Sequence, residues 1–128
     1  MYSHVTVGTA DLAAAGAFYD EVLAALGIER FYAKGTFIGY RAPGGGRTHF
    51  FVTLPFDGRP ASVGNGTHVA FMAASRAAVD EFHRRALAAG GTDEGAPGLR
   101  PHYHANYYAA YARDLDGNKL QAVCHDPA

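Results

Sequence analysis

An internal repeat constrains the fold of this chain more than any other feature of its sequence. Shifting the 128-residue sequence by 64 positions, the separation of His4 from His68, aligns identical residues in two halves. The matches are His4-Val5 with His68-Val69, Phe18 with Phe82, Leu23-Ala24-Ala25 with Leu87-Ala88-Ala89, and Gly27 with Gly91. Two copies are too few for a solenoid, so we expect two similar halves packed around a pseudo-twofold axis.

Each half is predicted to begin with a strand followed by a helix. The strand stretches, Ser3 to Gly8 and Thr67 to Met72, are rich in Val, Thr, Phe and His. Asp11 and Ser75 are predicted helix N-caps, and apolar residues then recur at helical spacing until glycines stop each helix. Those glycines are Gly27 in the first half and Gly90-Gly91 in the second.

Short β-prone runs follow both helices. In the first half, three strands are predicted at Arg30 to Ala33, Thr36 to Arg41 and Thr48 to Leu54. In the second half, residues 92–104 are predicted to be loop-like with one weak strand. Strands at Tyr107 to Arg113 and Asn118 to Cys124 follow, joined by a hairpin turn at Asp116-Gly117, where both residues can adopt positive φ at low cost. The sequence therefore predicts an α+β fold of two tandem βαβββ modules.

Composition indicates one domain with one core. Hydrophobic residues make up 48% of the chain, which suffices for a single core at this length. The modules are expected over residues 1–56 and 66–128 with a linker at 57–65, because Pro and Gly are concentrated there. The net charge of −1 argues against a nucleic-acid partner. A single cysteine, Cys124, excludes an intramolecular disulfide, and no apolar run is long enough to span a membrane. A cytoplasmic location is the resulting expectation.

The sequence resembles the vicinal oxygen chelate superfamily, which includes glyoxalases, bleomycin-resistance proteins and extradiol dioxygenases. The resemblance extends over nearly the whole chain, and its most specific part is the aspartate-rich turn before the last strand. The residues that carry it are His4-Val5-Thr6-Val7, Asp11-Leu12, Phe18-Tyr19, Gly66-Thr67-His68-Val69-Ala70-Phe71 and Arg113-Asp114-Leu115-Asp116-Gly117-Asn118. The resemblance implies a half-open barrel, a small-molecule ligand and a homodimer, in some members with modules completed across the dimer interface.

The same resemblance implies a divalent metal, such as Zn, Ni, Fe or Mn. His4 and His68 correspond to its histidine ligands, and Gln121 stands where the family usually has a glutamate. Replacing that carboxylate with an amide removes a negative charge and weakens the site. The strand that supplies a further carboxylate in glyoxalases has Phe51 and Val52 instead. The residues therefore leave two alternatives open, a weakened metal site and a metal-free pocket.

A polar segment in the second half is a candidate for proton transfer. Because an imidazole side chain ordinarily titrates near neutral pH, His102 or His104 would act as a general base from a loop. The alternative is a surface loop whose tyrosines pack at an interface. Strand alternation places Tyr107 and Tyr111 on one face, where they would line a cavity. His83 and His125 are expected to be exposed.

Two functions follow from these residues. The first is metal-dependent lyase or dioxygenase chemistry on a small organic molecule. The second is metal-free binding of, or resistance to, a drug or metabolite. The second is favoured by an aromatic cavity lining and the missing carboxylates. The predicted lining residues are Phe37, Phe51, Tyr107 and Tyr111.

Overall fold

The computed structural model describes residues 1–128 and contains two helices and eight strands in the order βαβββ-βαβββ. The elements of the first module are β1 (His4–Gly8), α1 (Leu12–Ala24), β2 (Glu29–Lys34), β3 (Phe37–Arg41) and β4 (His49–Thr53). Those of the second module are β5 (His68–Met72), α2 (Arg76–Ala88), β6 (Thr92–Leu99), β7 (Tyr108–Arg113) and β8 (Lys119–Cys124). The predicted α+β fold of two tandem modules is confirmed.

Each module forms its own four-stranded mixed sheet, and neither sheet closes on itself. The first sheet has the order β1-β4-β3-β2 and the second has the order β5-β8-β7-β6. The first and last strands of each module pair in parallel, and the other pairs are antiparallel. The opening strand of each module is consequently an edge strand. His4 and His68, the first residues of β1 and β5, both lie on these edges.

Both helices begin at the predicted caps. The Asp11 carboxylate accepts the backbone N–H of Ala14, and the Ser75 hydroxyl accepts that of Ala78. Each bond satisfies a donor that the first turn of a helix leaves unpaired. Helix α1 ends at Ala24, slightly before the predicted Gly27, and a tight turn connects the two.

A single core joins the two modules. One face of each sheet packs against the helices, and the α1 side chains Phe18, Tyr19 and Leu23 are almost completely buried there. The rings of Phe50 on β4 and Phe71 on β5 meet edge to face with centroids 5.0 Å apart. The other face of each sheet is not covered by a helix, and we call it the open face.

The aspartate-rich turn between β7 and β8 ties the modules together. Asp114 accepts the backbone N–H groups of Asp116 and Asn118, and the Tyr19 hydroxyl of the first module donates to it. Asp116 in turn accepts from the hydroxyl of Thr9. Gly117 has φ 90°, whereas Asp116 does not have positive φ. Only one of the two residues therefore adopts the left-handed conformation, and the Asp114 carboxylate organises this turn.

Two features of the second module differ from expectation. The segment predicted as loop-like with one weak strand contains β6, an eight-residue strand whose pairing with β7 shifts register on both sides of Gly95. These irregularities erase the alternation that would have marked a strand. The expectation that His83 is exposed was wrong, since the residue is buried and its imidazole bonds to Asp93 on β6 at 2.9 Å. Neither helix has the length and apolar character needed to cross a membrane.

Candidate functional site

A cavity of about 480 Å³ lies on the open face of the second sheet. Strands β5, β7 and β8 form its floor, β6 contributes one wall, and the loop after β6 covers one side. We call it the second-sheet cavity. Its lining residues are His68, Glu94, Arg100, His102, Tyr103, Tyr107, Tyr111, Lys119 and Gln121.

Two of the predicted metal ligands, His68 and Gln121, meet in this cavity. Gln121 pairs with Tyr111 across the β7–β8 ladder and is only 1% exposed. Its Nε2 donates to the Tyr107 hydroxyl at 2.5 Å, and its Oε1 makes no hydrogen bond within the chain. The amide is therefore held by one end, and its oxygen remains available as an acceptor for a ligand.

Three tyrosines form an aromatic wall. Tyr103 packs on Tyr107 with ring centroids 4.8 Å apart, and His102 packs on Tyr103 at 4.3 Å. Burial, followed by the neighbouring Tyr107 and Tyr103, raises the pKa of Tyr111 above its usual value. Its hydroxyl consequently stays protonated near neutral pH and can donate a hydrogen bond.

Charged groups also border the cavity. The Lys119 ammonium lies 5.4 Å from the centroid of the Tyr111 ring, and the Arg100 guanidinium carbon lies 5.6 Å from the same centroid. The one acidic lining residue, Glu94, forms an ion pair with Arg113.

The two candidate bases have different surroundings. His102 lines the cavity. His104 does not; its Nδ1 accepts the backbone N–H of Asn106, and its Nε2 lies 2.8 Å from Nδ1 of His125. Because Nδ1 is an acceptor, neutral His104 carries its proton on Nε2 and donates it to His125. Both ring nitrogens of His104 are therefore engaged, and His102 is the histidine of this loop that can meet a ligand.

The remaining predicted residues lie on the open face of the first sheet. The His4 imidazole packs edge to face on Phe51 with centroids 5.4 Å apart, and Phe37 packs on the same ring. None of the three lines the second-sheet cavity. The structure thus divides the predicted site between the two sheets.

The side chains of one chain do not fit a three-ligand metal site. No group of three or more His, Cys, Asp or Glu side chains is arranged to hold an ion. Within the cavity, His68 and Gln121 are two neutral donors, and Glu94 is neutralised by Arg113. Zinc sites in proteins have three or four protein ligands.

A larger cavity of about 710 Å³ lies between the modules, and its lining is mostly apolar. It borders the free edges of β1 and β5, and Val5, Leu26, Val69 and Met72 are among its lining residues. We call it the intermodule cavity. It is bigger than the second-sheet cavity, but a smaller share of its lining is polar, and polar groups are what fix the orientation of a small molecule.

Sequence reasoning missed Lys119, Arg100, Tyr103 and Glu94. Lys119 had a usable signal, because it lies two residues before Gln121 on the same strand and therefore shares its face. Glu94 had none, since the irregular pairing of β6 hides which of its residues face the cavity, and Arg100 lies in the loop directly after that strand.

Comparisons with known proteins agree with this architecture. A family model described as Glyoxalase/Bleomycin resistance protein/Dioxygenase superfamily matches residues 2–122. The crystal structure of a glyoxalase/bleomycin resistance protein from Albidiferax ferrireducens T118 has a TM-score of 0.87 and 42% identity, covering 98% of this chain and 99% of that chain. An uncharacterized protein of Pseudomonas aeruginosa is 36% identical over 122 residues, which are 93% of this chain and 84% of the relative. A lactoylglutathione lyase from Agrobacterium tumefaciens has a TM-score of 0.67 and 23% identity, covering 97% of this chain and 92% of that chain, and shares the fold.

Proposed function

Because the chain belongs to the glyoxalase/bleomycin resistance protein/dioxygenase superfamily, we propose that it binds a small organic molecule in the second-sheet cavity. One observation carries this proposal. The cavity combines an aromatic wall with a buried amide whose Oε1 has no partner inside the chain. An unpaired acceptor beside aromatic rings is the arrangement by which a protein orients a small ligand.

Thermal-shift screening with a library of small aromatic compounds tests this function. A ligand that binds the folded state raises the melting temperature by mass action, and at 100 times its Kd it contributes about 2.7 kcal/mol. Tyr103→Ala and Tyr2→Ala form a matched pair, because the two residues are 60% and 64% exposed and line different cavities.

Hits that bind in the second-sheet cavity should lose their shift in Tyr103→Ala and keep it in Tyr2→Ala. The opposite pattern would place the ligand in the intermodule cavity instead. A library that shifts neither the parent protein nor the variants would contradict the proposal.

We further propose that the chain is a homodimer. The outer edges of β1 and β5 have no hydrogen-bonded neighbour, and the apolar intermodule cavity borders both of them. Unpaired edges beside an apolar surface are where a second copy can add strand contacts and bury area. Light scattering coupled to size-exclusion chromatography should give twice the 13.6 kDa chain mass; a monomer at micromolar concentration would refute this proposal.

Metal-dependent lyase or dioxygenase chemistry is the second candidate function. It is favoured by the presence of His68 and the free Gln121 oxygen in one cavity. Because His4 and His68 both lie on edge strands, pairing between copies is a route by which the partner's His4 would provide the third donor. His102 would then be the residue that moves protons.

Metal titration separates the two functions. Under the metal-dependent hypothesis, calorimetry with nickel, zinc, iron or manganese shows saturable binding that both His68→Ala and His4→Ala weaken. His49→Ala is the control, because His49 faces His4 across the β1–β4 pair without belonging to the proposed ligand set. Absence of saturable binding at micromolar metal leaves the metal-free function.

A further inference from the structure

The charges around the second-sheet cavity are unbalanced. Arg100 and Lys119 contribute two cations, and neither forms an ion pair with a carboxylate of the chain. Glu94 is neutralised by Arg113 through a contact of 2.5 Å. The chain as a whole has a net charge of −1, so this positive potential is a local property of the cavity and not part of a basic surface.

The two cations have different roles. Arg100 is fixed in place, because its Nη1 donates to the Gly98 carbonyl and its Nη2 donates to the Ala96 carbonyl, each at 2.9 Å. The Lys119 ammonium makes no hydrogen bond within the chain and lies over the Tyr111 ring. A free ammonium has three donors, so Lys119 can bond directly to an anion while Arg100 supplies a stationary positive charge.

Neighbouring groups favour a planar ligand with a negative end. Tyr111 lines the cavity, and because burial raises the pKa of its hydroxyl, that group remains protonated and has a proton to donate. The rings of His102, Tyr103 and Tyr107 pack on one another along one wall at tilted angles, with centroid separations of 4.3 and 4.8 Å. Such a wall stacks on a flat aromatic group and adds favourable contact without specifying its substituents.

We propose that the second-sheet cavity selects aromatic carboxylates, with the carboxylate at Lys119 and the ring against Tyr103 and Tyr107. This inference rests on the proposed small-molecule function and narrows it to a ligand class. Lys119 is the specificity-determining residue, because its charge is free and its position beside Tyr111 is fixed by the start of β8.

Three probes of similar size and different charge test the inference: benzoate, benzamide and benzylammonium. Affinities are measured by ligand-observed NMR or calorimetry at pH 7. We expect benzoate to bind at least about tenfold more tightly than benzamide and benzylammonium to bind most weakly. Raising the salt concentration from about 20 mM to about 500 mM should lower the affinity for benzoate and leave the affinity for benzamide unchanged, because screening acts on the charged ligand.

The two lysines of the chain provide a matched pair of variants. Lys119→Met removes the charge and keeps the aliphatic stem. We expect it to lower the affinity for benzoate about tenfold without changing the affinity for benzamide. Lys34→Met makes the same change on the exposed strand β2 of the other module and should leave both affinities unaltered. Lys119→Arg keeps the charge and should retain most of the preference for benzoate.

The outcomes separate the inference from the function on which it rests. Equal binding of benzoate and benzamide, or equal losses in Lys119→Met and Lys34→Met, would overturn the carboxylate preference and leave the small-molecule site standing. Tightest binding of benzylammonium would also overturn it. If none of the three probes binds to protein whose circular dichroism and melting temperature are normal, that result would count against both the carboxylate preference and the small-molecule function.

Discussion

At the scale of single residues, buried polar contacts determine what the cavity presents to a ligand. Gln121 is held by the Tyr107 hydroxyl, so its amide oxygen has one direction in which to accept a bond. Strand alternation was enough to predict that Tyr107 and Tyr111 share a face. It did not predict that His104 is hydrogen-bonded to His125, because that contact joins a loop to a residue near the C-terminus.

Removing the Tyr107 hydroxyl tests how firmly the amide is held. In Tyr107→Phe, the buried Gln121 amide loses its partner, and the free energy of unfolding should fall by about 1–2 kcal/mol. Urea denaturation followed by circular dichroism measures this value. Tyr103→Phe is the control, because the Tyr103 hydroxyl makes no hydrogen bond within the chain. Equal stabilities for the two variants would show that the Gln121 contact contributes nothing.

Two buried tyrosines determine how the free energy of unfolding changes at alkaline pH. Burial, followed by Asp114, raises the pKa of Tyr19, and burial, followed by Asp20, raises the pKa of Tyr40. Because each hydroxyl has a higher pKa in the folded state than in the unfolded state, its contribution to stability is fully present below pH 10.0, the unfolded-state pKa. This contribution is lost as the pH rises above that value.

We therefore expect the free energy of unfolding to be level between pH about 8 and 9.5 and to decline above pH about 10. Tyr19→Phe should be less stable at neutral pH and should show a shallower alkaline decline than the parent protein. The measurement is urea denaturation across this range, with Tyr2→Phe, a substitution at an exposed position, as the control. Parallel declines in Tyr19→Phe and Tyr2→Phe would contradict this interpretation.

At the scale of secondary-structure elements, the repeat predicted the helices, their caps and the order of the strands. The duplicated pattern is local, and local signals such as Asp11 and Ser75 determine where a helix begins. Strand β6 was predicted only as one weak strand in a loop-like segment, because Gly95 and Gly98 mark register shifts in its pairing with β7. Its position is set by tertiary contacts, including the bond between His83 and Asp93.

The connection between α2 and β6 depends on a close approach at Gly91. A Cβ there would lie 2.6 Å from the Arg113 carbonyl oxygen and 2.7 Å from that of Ala86. Because both neighbours are backbone atoms that cannot rotate away, Gly91→Ala should lower the free energy of unfolding by about 1–3 kcal/mol.

Gly64→Ala is the matched control in denaturant unfolding. Its added Cβ would meet the Thr67 hydroxyl, the end of a side chain that can rotate. We expect a change of less than about 0.5 kcal/mol for this variant. A Gly91→Ala protein as stable as Gly64→Ala would show that the connection has room to relax.

At the scale of the whole molecule, the sequence could not reveal how the two modules are arranged. A repeat shows that His4 and His68 occupy equivalent places in their modules. It does not show whether the open faces of the two sheets meet in one cavity. In the structure the helix-facing sides share the core, and His68 lies in a cavity that His4 does not line. A long-range packing choice of this kind depends on contacts such as that between Phe50 and Phe71.

The proposed dimer gives a prediction at the same scale. Met72 lies on the free edge strand β5 and is 68% exposed, so Met72→Glu should place a charge in the contact and raise the dimer dissociation constant at least about tenfold. Leu99→Glu makes the same kind of change on β6, at the opposite edge of the same sheet, and should leave the dimer intact. Analytical ultracentrifugation measures both; equal effects would place the dimer contact elsewhere.

The location of the ligand is the most direct test of the central claim, that the open face of the second sheet is the binding site. Amide chemical shifts from ¹H–¹⁵N spectra, recorded during titration with benzoate and with benzamide, report that location residue by residue. We predict saturable changes at His68, Tyr111 and Gln121, which line the second-sheet cavity. Changes confined to Val5, Leu26 and Ile28 would place the ligand in the intermodule cavity and contradict the claim.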